Sequence, residues 1–327
     1  LKLPDFETTG FSSLPYGDSL DSYVRQRTLA APIPCRGVGV HSGMPVTMIL
    51  NPAAPDTGIV FRRIDLDPVA EVAARWDNVI DTRLCTVLGD QDGNPLVGTI
   101  EHIMAALAGC GIDNAVIELD GPEVPIMDGS AEPFVFLIDC AGTVEQTAIR
   151  TAIKVLKTIT VEEGGKRVTL APASEFTLSF EIEFAARAVG RQRRNALLSG
   201  FREELSAART FGFAEEVNAL RQMGLARGGS LENAVVIEGD RILNHGGLRY
   251  TDEFVRHKML DAVGDLALAG KPLLARFEGS RSGHALNNLV LRKLFATPGA
   301  WIEVEMPRGE DAFPESMMVS DNARMAL

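Results

Sequence analysis

Residues 46–53 read VTMILNPA and residues 168–173 read VTLAPA. Each is a short run rich in β-branched and apolar residues that closes on Pro-Ala, as a strand running into a loop would. A second pair of echoes follows in the same order, IDNAVIE at 112–118 and LENAVVIE at 231–238. Two echoes in one order point to an internal duplication. After the first strand phrase, a helix is predicted from about Ile100 to Ala108, with Thr99 as its N-cap and Gly109 and Gly111 as stop signals. A strand at Asn114–Leu119, a loop reading DGPEVPIMDGS and a helix at about Ala131–Cys140 complete the first half. The second half offers strands around Ile153–Val161 and Val168–Leu170 and, after a longer connection, a helix at about Ala214–Met223. A strand at Asn233–Ile237 and a final helix from about Asp252 to Ala269 follow. The fold class expected is therefore α+β: two similar domains, each with helices on a mostly antiparallel sheet, and a site in the cleft between them.

A chain of 327 residues is long enough for two domains. The junction is expected near Gly142–Arg150, giving domains at 25–146 and 147–327 after a weakly ordered leader at 1–24 that has no apolar periodicity. Hydrophobic residues make up 46% and charged residues 23%, a globular composition. The formal net charge of −12 argues against nucleic acid as a partner, and the densest basic run, RQRR at 191–194, reads as a solvated loop. The leader is acidic and lacks the apolar core of a signal peptide, and no segment has the roughly 20 apolar residues that would span a bilayer. Cys35, Cys85, Cys110 and Cys140 have neither C-x-x-C pairing nor regular spacing, which fits a reducing compartment. A cytoplasmic monomer without integral membrane contact is the expectation.

Five histidines are few enough to weigh singly: His41, His102, His245, His257 and His284. In RHKMLDAVGDL, His257 and Asp261 stand at i and i+4, on one helical face within reach of one cation, and Asp265 extends that face by a turn. A solvated helix face would show the same spacing. His102 shifts the balance, because two histidines and a carboxylate with a position left for water make a hydrolytic metal set. Glu101 beside it is then a candidate base, although an acid in the first turn of a helix is commonplace. His284, in SRSGHALNN, reads as a loop residue that could act as an acid if Asp265 raised its pKa and oriented its ring. Thr210, in ARTFGF, precedes a helix much as Thr99 does; it is either an N-cap or a donor to an oxyanion. His245 reads as an exposed loop residue, and His41 in GVGVHSG is harder to set aside.

The span from Arg25 to about Trp301 resembles the UDP-3-O-acyl-N-acetylglucosamine deacetylases of bacterial lipid A synthesis. The resemblance rests on nine phrases in order: QRTL (26–29), GVGVHSG (37–43), DTRLCT (81–86), TIEHIMAALAGCGIDNA (99–115), EVPIMDGSAEPFV (123–135), ARTFGF (208–213), GGSLENAVV (228–236), DEFVRHKMLDAVGDL (252–266) and SGHALNN (282–288). It implies a β-α-α-β sandwich architecture and removal of the 2-acetyl group from a UDP-linked, 3-O-acylated glucosamine. It also implies a metal held by His102, His257 and Asp261, with Glu101 as base. His284 becomes the acid or electrostatic stabiliser, supported by Asp265, and Thr210 polarises the substrate carbonyl. Lys258 would meet the glucosamine-diphosphate, Phe211 the sugar and Phe184 the uracil. Residues 214–233 would build a passage for the acyl chain, with Gly229 leaving it wide.

One phrase departs from the family: its F-D-H-P segment reads FAARAVGRQ from Phe184 here, without the polar residues. Cys85 matches a cysteine often found near the metal, a place that a small buried hydrophobe also suits. Ligands of this kind accept Zn²⁺ and Fe²⁺ alike. A non-catalytic nucleotide-sugar or acyl-lipid binding protein is the rival reading, and retention of Glu101 and His284 beside all three ligands argues against it. A phosphoryl-transfer enzyme would need a Gly-rich phosphate loop of the G-x-x-x-x-G-K-[ST] kind, which the sequence lacks.

Overall fold

The computed structural model describes residues 22–308. The first half runs β1 (Arg25–Leu29), β2 (Ile33–Val38), β3 (Pro45–Pro52), β4 (Ile59–Arg63), β5 (Ala70–Ala73), β6 (Val79–Asp81), β7 (Val87–Gly89), β8 (Pro95–Val97), α1 (Glu101–Gly109), β9 (Ala115–Leu119), α2 (Glu132–Ala141) and β10 (Thr143–Ile149). The second begins with β11 (Thr151–Val155), β12 (Ile159–Glu163), β13 (Lys166–Pro172), β14 (Thr177–Glu183) and β15 (Arg191–Leu197). It continues through α3 (Phe201–Glu204), β16 (Phe211–Phe213), α4 (Ala214–Gln222), β17 (Val235–Glu238) and β18 (Arg241–Ile242) to α5 (Glu253–Ala267), β19 (Leu273–Ser280), α6 (His284–Ala296) and β20 (Trp301–Glu305).

The duplication is real, and its register differs from that of the echoes. The first sheet has the order β2-β3-β9-β4-β5, and the second contains β12-β13-β19 with β14 and β15 beyond β19. In both, the third strand is antiparallel to the second and parallel to the fourth. The flanking pairs β1–β10 and β11–β20 are both antiparallel and correspond as well. VTMILNPA and VTLAPA fall on the equivalent strands β3 and β13. IDNAVIE lies on β9, whose counterpart is β19; LENAVVIE lies on β17, in the small β16-β17-β18 sheet, so the second echo is a coincidence. The two small sheets, β6-β7-β8 and β16-β17-β18, are insertions at matching points, the first between β5 and α1 and the second, which also carries α4, between β15 and α5.

Alternation sets the faces of the sheets. β3 reads exposed or half-buried at Pro45, Thr47, Ile49 and Asn51 and buried at Val46, Met48 and Leu50; β14 buries Leu178, Phe180 and Ile182 in the same way. Helices cover the buried faces. α1 packs along α5, α5 against β14 and β15, and α6 against β12 and β13. The four layers of the sandwich, sheet–helix–helix–sheet, are thus completed by the two halves together, and one continuous core runs through them.

Three local expectations change. RQRR is strand β15, in which Arg191 and Arg193 face solvent while Arg194 turns in to pair with Glu204 and Asp252. Ser282–Asn288 leads into helix α6, and His284 is its first residue. Thr99 does not cap α1: its φ is 57° and its hydroxyl donates to Glu123 Oε1 at 2.9 Å. Of the expected leader, residues 1–21 lie outside the described residues; Tyr23 bridges to Pro307, and Val24 N–H donates to Met306 O. Among the described residues no helix is long and apolar enough to cross a membrane.

Candidate active site

α1 and α5 cross at a point where α5 has no room for a side chain. A Cβ at Gly264 would overlap the backbone of Glu101, so glycine there lets the N-terminal turn of α1 settle onto the middle of α5. The contact places Glu101 and His102 of one half beside His257, Asp261 and Asp265 of the other. Among the described residues, His102, His257 and Asp261 offer donor atoms within 4.8 Å of one another, and all three are buried. Asp261 Oδ1 lies 3.3 Å from His257 Nε2 and 3.6 Å from His102 Nε2, and the two imidazoles meet edge to face at 5.0 Å.

The protonation of these groups suits a divalent cation. Burial lowers the pKa of His257 to about 4 against the pull of Asp261, leaving a neutral imidazole. With Nδ1 3.0 Å from Ala208 O, the proton belongs on Nδ1 and the Nε2 lone pair is directed at the cluster. Burial opposes ionisation of Asp261, but His257 and the Lys258 ammonium outweigh it and hold the carboxyl well below its usual range. Lys258 Nζ donates to Oδ2 at 2.7 Å, so Oδ1 is the oxygen turned to the histidines. Two imidazoles and a carboxylate are the donor set of hydrolytic metal sites, and the residues present fit such an ion.

Two further groups stand at the cluster. Burial raises the pKa of the Glu101 carboxyl, partly offset by His284 and His102, and its Oε2 accepts the Thr86 amide at 3.1 Å. His284 Nδ1 donates to Asp265 Oδ2 at 2.8 Å. Burial and the positive end of α6 both disfavour an imidazolium there. The Asp265 carboxylate more than compensates, and the His284 pKa rises to about 9. The cluster therefore combines a carboxylate of raised pKa with a histidine that is cationic at neutral pH.

The other residues singled out in the sequence have settings of their own. Thr210 precedes strand β16, not a helix; its amide donates to Gly129 O at 2.7 Å and its carbonyl accepts Val235 N–H at 2.8 Å. The preceding Arg209 is clamped to Glu253, which is fully buried. Phe211 stands edge-on to Phe254 and faces the His257 ring at 6.3 Å, and Phe184 contacts Phe211 at 5.7 Å and Phe213 at 5.8 Å. In FAARAVG the chain turns back on itself and Arg187 N–H donates to Asp240, which ties the departing phrase to the β17–β18 turn. Gly229 lies where the insert meets the loop that follows β2, with the neighbouring amides of Arg227 and Gly228 donating to His41 O and Val40 O. His245 is exposed. Cys85 is buried near Thr99, and burial together with Glu101 pushes its thiol up to about 12, which leaves it inert.

Sequence reasoning missed Thr86 and Asn287. The Thr86 hydroxyl donates to Asp265 Oδ1 at 2.6 Å, and Asn287 Nδ2 donates to Asp265 Oδ2 at 2.8 Å. Asn287 lies three residues after His284 on the same helix, a spacing that counts only once α6 is known to be a helix; Thr86 comes from a loop in the other half.

A family model described as UDP-3-O-acyl N-acetylglycosamine deacetylase matches residues 26–296. A protein of Pseudomonas entomophila (strain L48) named UDP-3-O-acyl-N-acetylglucosamine deacetylase is 51% identical over 282 residues, which cover 85% of this chain and 92% of that one. With the match running from β1 to the end of α6 and enclosing every residue of the cluster, this chain belongs to the UDP-3-O-acyl N-acetylglycosamine deacetylase family.

Proposed function

We propose that this chain hydrolyses the 2-acetamido group of a UDP-3-O-acyl-N-acetylglucosamine, an early committed step of lipid A synthesis, with catalysis at the His102, His257, Asp261 cluster. The observation that carries the assignment is the convergence, from opposite halves, of three metal donors, one carboxylate of raised pKa and one cationic histidine. A divalent cation, Zn²⁺ or Fe²⁺, held by His102, His257 and Asp261 supplies Lewis acidity that activates water and polarises the amide carbonyl.

The remaining work falls to the chain. Glu101 accepts the proton of the attacking water, a role that suits a buried carboxylate of raised pKa. The water oxygen bonds to the acetyl carbon and the C–N bond breaks, releasing acetate and the free amine. The proton held by Glu101, or the one on His284 Nε2, passes to the departing nitrogen. His284, kept cationic by Asp265, also faces the negative charge that develops on the carbonyl oxygen, and the Thr210 hydroxyl donates to the same oxygen. Lys258 is assigned to the glucosamine-diphosphate, Phe211 to the sugar and Phe184 to the uracil; the aromatic row from His257 through Phe211 to Phe184 supports that order. Residues 214–233 are assigned to the acyl chain. The enzyme is proposed to act as a cytoplasmic monomer.

The test is metal content and turnover of a UDP-acyl-GlcNAc substrate before and after chelation. One divalent ion per chain is expected, with activity lost on its removal and restored by Zn²⁺ or Fe²⁺. Undiminished turnover by fully metal-free protein would overturn the assignment.

A further inference from the structure

Thr86 lies on the β6–β7 connection of the first half, and it is 1% exposed. A hydroxyl at such a depth costs stability unless it is hydrogen-bonded, and valine would fill the same space without that demand. Its partner is Asp265 of the second half, at 2.6 Å, within the range of a bond from a hydroxyl to a charged carboxylate. The Thr86 amide meanwhile donates to Glu101 Oε2 at 3.1 Å. One residue thus holds the carboxylate that receives a proton and the carboxylate that supports the cationic histidine.

We propose that Thr86 is a positioning residue for the deacetylation, keeping Glu101 and the Asp265–His284 pair in register across the junction of the two halves. The inference rests on the proposed function. With Oδ1 engaged by Thr86 and Oδ2 by both His284 Nδ1 and Asn287 Nδ2, the Asp265 carboxylate cannot rotate without breaking a bond. Its orientation fixes the imidazole plane, and so the direction in which Nε2 points. The amide of the same residue engages Oε2 of Glu101 and leaves Oε1 for proton transfer. The hydroxyl thus acts on the reaction through Asp265, without touching substrate.

The experiment compares Thr86→Val, Thr86→Ser, Asp265→Asn and the Thr86→Val/Asp265→Asn double variant with wild type, measuring kcat, KM, metal content and melting temperature. Thr86→Val is expected to lower kcat by roughly 10- to 100-fold, the range for small misplacement of catalytic groups. KM should stay within about twofold, with metal content unchanged, and Thr86→Ser should recover most of the loss. Because Thr86 acts through Asp265, the double variant should be no slower than Asp265→Asn alone. A Thr86→Val enzyme of wild-type kcat, a serine variant as slow as valine, or losses that multiply in the double variant would overturn the proposal. Should valine fail to fold, the ratio of kcat between Thr86→Ser and Thr86→Ala reads the hydroxyl instead, and a ratio near one would also overturn it. Wild-type protein without deacetylase activity would sink the proposed function and this inference together, whereas the outcomes above sink this inference alone.

Discussion

A methyl group at Gly264 of α5 would stand 2.8 Å from the carbonyl carbon of Glu101 in α1, closer than any two such atoms can approach. The cluster of donor atoms sits beside that contact, which sets His102 of α1 next to His257 and Asp261 of α5. Gly264→Ala must push the helices apart, and overpacking of this kind costs about 1–3 kcal/mol. The expected result is a folded protein of lowered melting temperature with a sub-stoichiometric divalent metal, read by calorimetry and elemental analysis. Full metal content and wild-type stability would show that the two helices can part without opening the site.

The contact also marks what the sequence could and could not reveal. His257 and Asp261 on one face of α5, and Glu101 beside His102 on α1, follow from spacing alone. Their meeting does not, since it depends on a glycine whose neighbour is 163 residues away (264 − 101). Helix α6 was hidden by its start, where Gly283 is followed by His-Ala-Leu-Asn-Asn, several of which are weak helix formers. Its buried stripe of Leu286, Val290, Leu291 and Leu294 was present in the sequence farther along. Strand β15 was obscured because its alternation is between one polar residue and another, and periodicity is legible only where one face is apolar. Thr99 looked like a cap because its hydroxyl precedes a helix, but the hydroxyl is engaged by Glu123.

Under the proposed mechanism, the pH dependence of kcat/KM follows from two groups of opposite requirement. Glu101 must be charged to accept a proton, and burial raises its pKa above the usual 4.5, so the acid limb is displaced upward. His284 must be protonated; burial opposes this, but Asp265 lifts its pKa to about 9, so activity falls as pH rises through that value. The profile is a bell with its plateau between the two. Asp265→Asn removes the charge that lifts His284, and the alkaline limb should move to lower pH and narrow the plateau. An alkaline limb that stays in place in Asp265→Asn would exclude His284 as its source.

Glu253 anchors the Arg209–Thr210 segment that leads into β16, and its ion pair with Arg209 is 0% exposed on the carboxylate side and 12% on the guanidinium side. Breaking a buried pair from one side costs about 3–5 kcal/mol. Burial opposes the charged carboxylate, yet bonds from the Arg209 side chain and from the amides of Arg209 and Arg249 hold its pKa below 4.5. For a depressed pKa the stabilisation is complete above the unfolded value and is lost as pH falls through the folded one. The melting-temperature gap between wild type and Glu253→Gln should therefore be widest near neutrality and close below about pH 4.5. A gap independent of pH would show that lost packing, not lost charge, destabilises the variant.

Gly229 is the residue through which acyl-chain length can be tested. A Cβ built there would lie 3.4 Å from Ala226 O and 4.0 Å from Val40 Cγ2, ordinary contact distances, so a side chain can be accommodated at its base. Gly229 is not among the residues of positive φ, which removes the usual backbone objection to replacing a glycine. A large side chain would start from the junction of the insert and the loop that follows β2. If the acyl chain runs there, Gly229→Phe should leave metal content and turnover of a short-acyl substrate close to wild type while weakening longer substrates. Each methylene denied burial costs about 0.8 kcal/mol, so excluding two lowers kcat/KM roughly tenfold or more. The measurement is kcat/KM across a series of acyl lengths for both proteins. A uniform decline at every length would place the acyl chain elsewhere, whereas a break at one length would locate the phenylalanine along the passage.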